Sequence, residues 1–318
     1  MSRSTVRVLG ALLLGLAGCG QPDKPITVGA NVWPGYEPLF LARSLGYYDN
    51  PAVRLVEFSS SAEVIRAFRN GLIDVAALTA DEALLVADTQ PDHRIVLVCD
   101  FSNGADVLLA KPGFTSIQDL KGHRVGVETT AEGALMLARS LDSAGLSSAD
   151  VQAVQVPLLE QEDAFLSGRV DAVITFEPHR TRLLNAGARP LFDSSQIPGE
   201  IVDVLLARRE LVASDSRAVG ALVSGWFGAL KYLRENPSDA AGRMAPREGL
   251  TPRQFLDSLQ GLTLLDREAN LRLLGGSSNN LAGALRQLSA LMLQHKMISR
   301  AAGPASLLDD RFVRREHP

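Results

Sequence analysis

Cysteine is nearly absent from this chain: Cys19 and Cys99 are the only two in 318 residues. No Cys-x-x-Cys pair occurs, and five scattered histidines give no Cys/His zinc spacing. No metal and no other cofactor is expected. Basic residues form no long run and the net charge is −4, so there is no electrostatic footprint for nucleic acid. No apolar run approaches the ~20 residues that cross a bilayer as a helix. An HExxH motif, a Ser–His–Asp set and a phosphate loop are all missing, so an enzyme is not expected and no catalytic residue is assigned. What is present is ordinary: 46% apolar and 21% charged residues, as in a soluble globular protein long enough for two domains.

The chain begins with Arg3 and Arg7, then the apolar stretch Val8–Leu16, too short to span a membrane. Leu16-Ala17-Gly18-Cys19 follows and resembles a bacterial lipobox. Residues 1–18 therefore read as a lipoprotein signal peptide, Cys19 as the lipid attachment site, and 19–25 as a polar tether. Several acyl chains would anchor firmly where one binds only marginally. The expected location is the cell envelope, facing the periplasm or the exterior. Cys99 lies in the apolar run "RIVLVCDF" and reads as a buried, inert thiol.

From Ile26 on, short β-rich runs alternate with helical patterns, which argues α/β lobes with mainly parallel sheets. The expected strands are Ile26–Val32, Val53–Phe58, Ile73–Leu78 and Ile95–Asp100. The expected helices are Pro38–Leu45, Ala62–Asn70 and Asp81–Asp88. Then the pattern repeats at an offset of about 97 positions. "VGA" at Val28–Ala30 matches "VGV" at Val125–Val127, and "GLIDVA" with Asp74 matches "GRVDAV" with Asp171. Lobe I would take 26–103 and lobe II 104–202, with 203–318 returning to lobe I and adding C-terminal helices. There, Arg217–Glu235 has apolar residues at helical spacing, and Pro237 reads as its stop. Further helical patterns run Pro252–Leu259, Arg267–Leu274 and Leu281–Lys296.

Open α/β sheets bind ligands beyond the carboxyl ends of their strands. Those positions hold Trp33, Tyr36, Glu37, Ser59, Thr79, Asn103, Asp106, Thr129, Thr130, Glu177 and Asp203. "YEP" at Tyr36–Pro38 and "FEP" at Phe176–Pro178 repeat one arrangement: an aromatic, a Glu, and a Pro opening a helix. Glu37 and Glu177 either touch a ligand or only cap their helices. Thr79-x-x-Glu82 and Thr129-x-x-Glu132 fit capping boxes, which reads Glu82 and Glu132 as structural. The strand-end segments carry several carboxylates and no Lys or Arg, with His179 and Arg180 the nearest basic residues. That balance suits an amine, a zwitterion or a neutral solute better than an anion.

The ordered series "NVWPGYEPLFLARSLGYY", "GLIDVAALTADEA", "DFSNGADVLLAK", "IQDLKGHRVGVE", "SGRVDAVITFEP" and "IPGEIVDVLLARRE" resembles the nitrate/sulfonate/taurine-type substrate-binding proteins of ABC importers. The likeness extends to the thiamine-precursor binders of that superfamily and covers about Ile26–Glu235. It implies a two-lobe type II periplasmic-binding fold, monomeric, with a hinge and a cleft. It also implies delivery of a small solute to a permease with a cytoplasmic ATPase. Carried over by position, it points to the same residues as above except Glu37. The alternatives are a binder of a small oxyanion and a solute sensor for a signalling receptor. The iron-dependent pyrimidine synthases of the superfamily need a Cys-rich segment that this chain lacks.

Overall fold

The computed structural model describes residues 25–49, 53–214, 217–275, 281–301, 303 and 306–315. The expected signal peptide, Cys19 and the tether up to residue 24 lie outside the described residues.

Among the described residues, eleven strands form two sheets. The first sheet contains β1 (Ile26–Asn31), β2 (Val53–Phe58), β3 (Val75–Thr79) and β4 (His93–Ser102). The second is built from β5 (Val107–Ala110), β6 (Arg124–Val127), β7 (Gln152–Gln155), β8 (Ala172–Thr175) and β9 (Arg189–Asp193). The chain then returns to the first sheet as β10 (Val202–Arg208) and β11 (Leu262–Leu264). The strand orders are β11-β4-β10-β3-β1-β2 and β7-β6-β8-β5-β9. Both sheets are mixed. β1 pairs parallel with β2 and β3, and β6 with β7 and β8, whereas the strands at the crossings run antiparallel. A chain that leaves a sheet and re-enters it beside its exit must run both ways there.

Helices flank the sheets: α1 (Glu37–Ser44), α2 (Ser61–Arg69), α3 (Ala80–Thr89), α4 (Ala131–Ser143), α5 (Gln161–Leu166) and α6 (His179–Asn185). The C-terminal region adds α7 (Arg209–Ala213), α8 (Arg217–Glu235), α9 (Pro237–Glu248), α10 (Pro252–Ser258), α11 (Arg267–Leu274), α12 (Leu281–Gln294) and α13 (Arg311–Arg314). Pro237 stops α8 as expected, but it also opens α9, which the sequence reading passed over. α1 starts one residue early, at Glu37, because a single turn at Pro34–Tyr36 already winds the chain. Trp226 is fully buried on α8, while Phe227 beside it is only half-buried, under the Arg267 guanidinium. Cys99 is fully buried in β4.

The sequence echo is also an echo of bonds. Thr27 N donates to Asp74 Oδ2 at 2.8 Å, and Arg124 N donates to Asp171 Oδ2 at 3.0 Å. Each Asp satisfies a backbone donor at the start of its sheet's central parallel strand. The registers match too: Val28 faces Val75 and Val125 faces Ala172. Gly29 and Gly126 hold equivalent places for one steric reason. A Cβ on Gly29 would meet Ile73 Cδ1 at 2.5 Å, and one on Gly126 would meet Val170 at 3.3 Å.

Two crossovers join the sheets, and serine hydroxyls tie them together. Ser102 Oγ and Ser194 Oγ lie 2.7 Å apart, and Gly104 N donates to Ser194 Oγ at 2.7 Å. Ser194 N donates to the Asp106 carbonyl at 2.9 Å, and Ser102 N to the Ile201 carbonyl at 3.1 Å. Among the described residues no helix is long and apolar enough to cross a membrane.

Candidate ligand-binding cleft

The strand ends of the two sheets face each other across a small polar cavity of about 20 Å³, room for about one water. From the first sheet and its helices come Asn31, Trp33, Tyr36, Ser61, Thr79, Glu82 and Asp203. From the other side come Asp106, Glu132, Phe176 and Ile201. The edge of one ring meets the face of the other where Trp33 and Phe176 approach, with centroids 5.7 Å apart and planes at 83°. Gly35 lets Trp33 sit there, since a Cβ would overlap both Trp33 Nε1 and Asp100 Oδ2. The Tyr36 hydroxyl donates to Asp203 Oδ1.

Four of the lining side chains are carboxylates, and none is Lys, Arg or His. Burial pushes the Glu82 carboxyl up to about 8, with Asp81 beside it adding to the rise and the Ser61 hydroxyl opposing it. Ser61 Oγ donates to Glu82 Oε1 at 2.5 Å, and Thr79 N donates to Glu82 Oε2 at 3.2 Å. Burial also lifts Asp81 to about 6 and Asp100, just behind the cavity, to about 7. Asp203 is raised well above the usual range by burial and then by Asp100. Glu132 is raised strongly by burial and then by Asp106, and Asp106 is raised by burial too, with Glu132 and Ser102 opposing the rise. One oxygen each of Asp106 and Asp203 remains buried without a partner. Burial is the first cause of the rise at each of these acids, and no Lys, Arg or His lines the cavity to offset it.

The sequence-derived candidates separate into groups. Trp33, Tyr36, Thr79, Asp106 and Asp203 converge on the cavity. Thr129 and Thr130 line a neighbouring groove, where Thr130 Oγ1 caps α4 by accepting from Gly133 N at 3.0 Å. Ser59 points away and donates to Glu63 Oε2 at 2.6 Å, while Ser61, two residues on, faces in. Asn103 is exposed on the crossover, its N–H given to the Gly261 carbonyl at 2.8 Å. Both glutamates of the echoed turns are committed elsewhere. Glu177 accepts from Arg180 at 2.9 Å and from Thr181 N at 3.1 Å. Glu37 accepts from Arg247 Nε at 3.0 Å, and Arg247 also pairs with Glu57 and lies 3.3 Å above the Phe40 ring centre. His179 is 2.6 Å from Glu162. The two nearest basic residues are thus both occupied by acids.

Sequence reasoning set aside Glu82 and Glu132 as helix caps, and both line the cavity. Capping and lining are compatible here, because helices that start at strand ends present their first turn to the cleft. The cap of α4 is Thr130, not Thr129, which turns Glu132 inward as the second helical residue. Among the described residues, no three His, Cys, Asp or Glu side chains gather as a metal site.

Residues 20–245 match the NMT1-like family. The chain belongs to that family. The taurine-binding periplasmic protein of Escherichia coli (strain K12) is 21% identical over 232 residues, 71% of this chain and 72% of that one. Putative binding proteins of Brucella abortus are 27% identical over 191 residues, and the chain spans 58% of their length. The alkanesulfonate-binding protein SsuA from Xanthomonas axonopodis pv. citri, bound to MOPS, superposes with a TM-score of 0.74 at 18% identity, covering 90% of this chain and 99% of that one. The desulfurization enzyme DszB shares the fold as well, with a TM-score of 0.67 at 16% identity, covering 91% of this chain and 97% of that one. The relatives of this NMT1-like chain are mainly named as binding proteins, and the solved structures that share its fold include a ligand-binding component of an ABC-type import system. The fold alone does not separate binders from enzymes.

Proposed function

We propose that this NMT1-like protein captures a small organic amine or zwitterion between its lobes and hands it to an ABC permease with a cytoplasmic ATPase. The observation that carries the charge preference is the cavity lining: Glu82, Asp106, Glu132 and Asp203 without a basic side chain. An ammonium group there would satisfy the orphaned carboxylate oxygens and allow the raised acids to ionise. Trp33 and Phe176 would add an aromatic wall from each side. A cavity of about 20 Å³ is smaller than any such solute, so binding requires the lobes to part about the serine-tied crossovers and close again. The proposed assignment places the monomer in the periplasm or on the cell exterior, held by lipid on Cys19.

The second reading is a sulfonate or other oxyanion ligand, favoured by the taurine- and sulfonate-binding relatives. Thermal unfolding in the presence of a solute panel decides between them. Millimolar alkylamines are expected to raise Tm by several degrees, as ligand linkage requires, and taurine, sulfate and nitrate by less. Stabilisation by the oxyanions alone would remove the charge argument and leave the sulfonate reading standing.

A further inference from the structure

Beside the polar cavity lies a second space of about 370 Å³, the size of a ligand pocket, lined mostly by apolar side chains. Ala62, Ile65 and Leu85 form one wall from α2 and α3, Ala131 and Ala134 the other from α4, and Met297 closes the groove. Its basic lining residue, Arg69, donates to the Leu85 carbonyl at 3.0 Å. The groove and the cavity are adjacent along two helix starts. Ser61 faces the cavity and Ala62 the groove; Glu132 faces the cavity and Ala131 the groove. The groove thus runs between the same two lobes, lined in part by chain neighbours of residues that line the cavity.

We infer that the ligand is amphiphilic: an ammonium head among Glu82, Asp106, Glu132 and Asp203, and an unbranched apolar arm along the Ile65–Leu85–Ala134 groove. The inference rests on the cationic-head reading above for the head alone. A purely polar ligand would leave six apolar side chains lining an empty groove, whereas an arm removes both surfaces from water.

Calorimetric titration of the wild-type protein with ethylamine, hexylamine, ethanesulfonate and hexanesulfonate tests the head and the arm separately. Each methylene that the groove buries strengthens binding about fourfold, so hexylamine, with four more methylenes, is expected to bind on the order of a hundred times more tightly than ethylamine. Ala134→Phe, at a half-buried helix position, fills the groove. It is expected to abolish the hexyl advantage and leave ethylamine affinity unchanged. Equal affinities for ethylamine and hexylamine would overturn the arm and spare the head. Binding of hexanesulfonate far above ethanesulfonate, with no amine bound, would overturn the head and spare the arm. Failure of all four to bind would overturn both.

Discussion

Arg247→Met is expected to destabilise the protein by about 3 kcal/mol, the scale on which removing one partner of a buried ion pair acts. Glu37 is 1% exposed and its Oε1 takes its hydrogen bond from Arg247. Burial already lifts the Glu37 carboxyl to about 7, and Arg247 is what holds it down. Glu248, next along the chain, is buried too, with both carboxyl oxygens unpartnered and its proton affinity raised by burial and then by Glu37. Without the guanidinium, two acids face each other in the dry interior. At roughly 2–4 °C per kcal/mol for a chain near this size, Tm should fall by about 10 °C. The sign of the pH dependence follows from Glu37. Below its folded value the carboxyl is neutral and needs no partner, so the deficit should shrink toward pH ~5 and grow toward pH ~8. Adding Glu37→Gln should restore part of the loss. A deficit equal at both pH values would instead trace the effect to lost stacking on Phe40.

Glu132→Gln is expected to push stability and binding in opposite directions. Burial raises Glu132 strongly, and a Gln of the same size carries no charge for burial to oppose. Glu82 at about 8, Asp100 at about 7 and Asp81 at about 6 are raised first of all by burial. The folded state therefore binds more protons than the unfolded chain from about pH 4 to about pH 8. Stability from these groups is full below that window and is lost as pH rises through it. The wild-type Tm should accordingly fall across it, and Glu132→Gln should make the fall shallower. Amine affinity should run the other way, rising with pH as the acids ionise. The variant should lose about 10- to 100-fold of it, the worth of one charge-assisted hydrogen bond. Melting curves and titrations at several pH values check both slopes. An unchanged amine affinity in Glu132→Gln would remove that residue from the head site.

The scaffold was largely legible because it is written in local signals. Asp74 and Asp171 recur at one spacing, since each must satisfy the same strand-start N–H. The aromatic turn at Trp33–Tyr36 was legible as a strand end followed by a helix start. The cavity was read less well, because local signals there serve two roles. Glu82 looked like a cap and is one, yet it also faces the cavity. Ser59 and Ser61 are two residues apart, and only the start of α2 decides which turns inward. The fate of Glu37 depended on Arg247, a residue from α9 that no spacing rule connects to it. The antiparallel crossings were hidden for the same reason, as β10 pairs with strands laid down long before it.

The crossovers also order the folding of the chain. Strands β5–β9 close a complete sheet within one uninterrupted stretch. The other sheet cannot be completed until β10 reaches β4, with Val202 against Phe101, and β11 follows, with Leu262 against Ser102. During synthesis, which delivers the N-terminal part first, β3 must wait with one edge unpaired and β4 with both while the later sheet assembles. Pairings between nearby residues form faster than distant ones. Pulse-labelled hydrogen exchange during refolding should therefore protect β6 and β8 amides before those of β4. An earlier-made half that matures last leaves its exposed edge as the place where aggregation would begin.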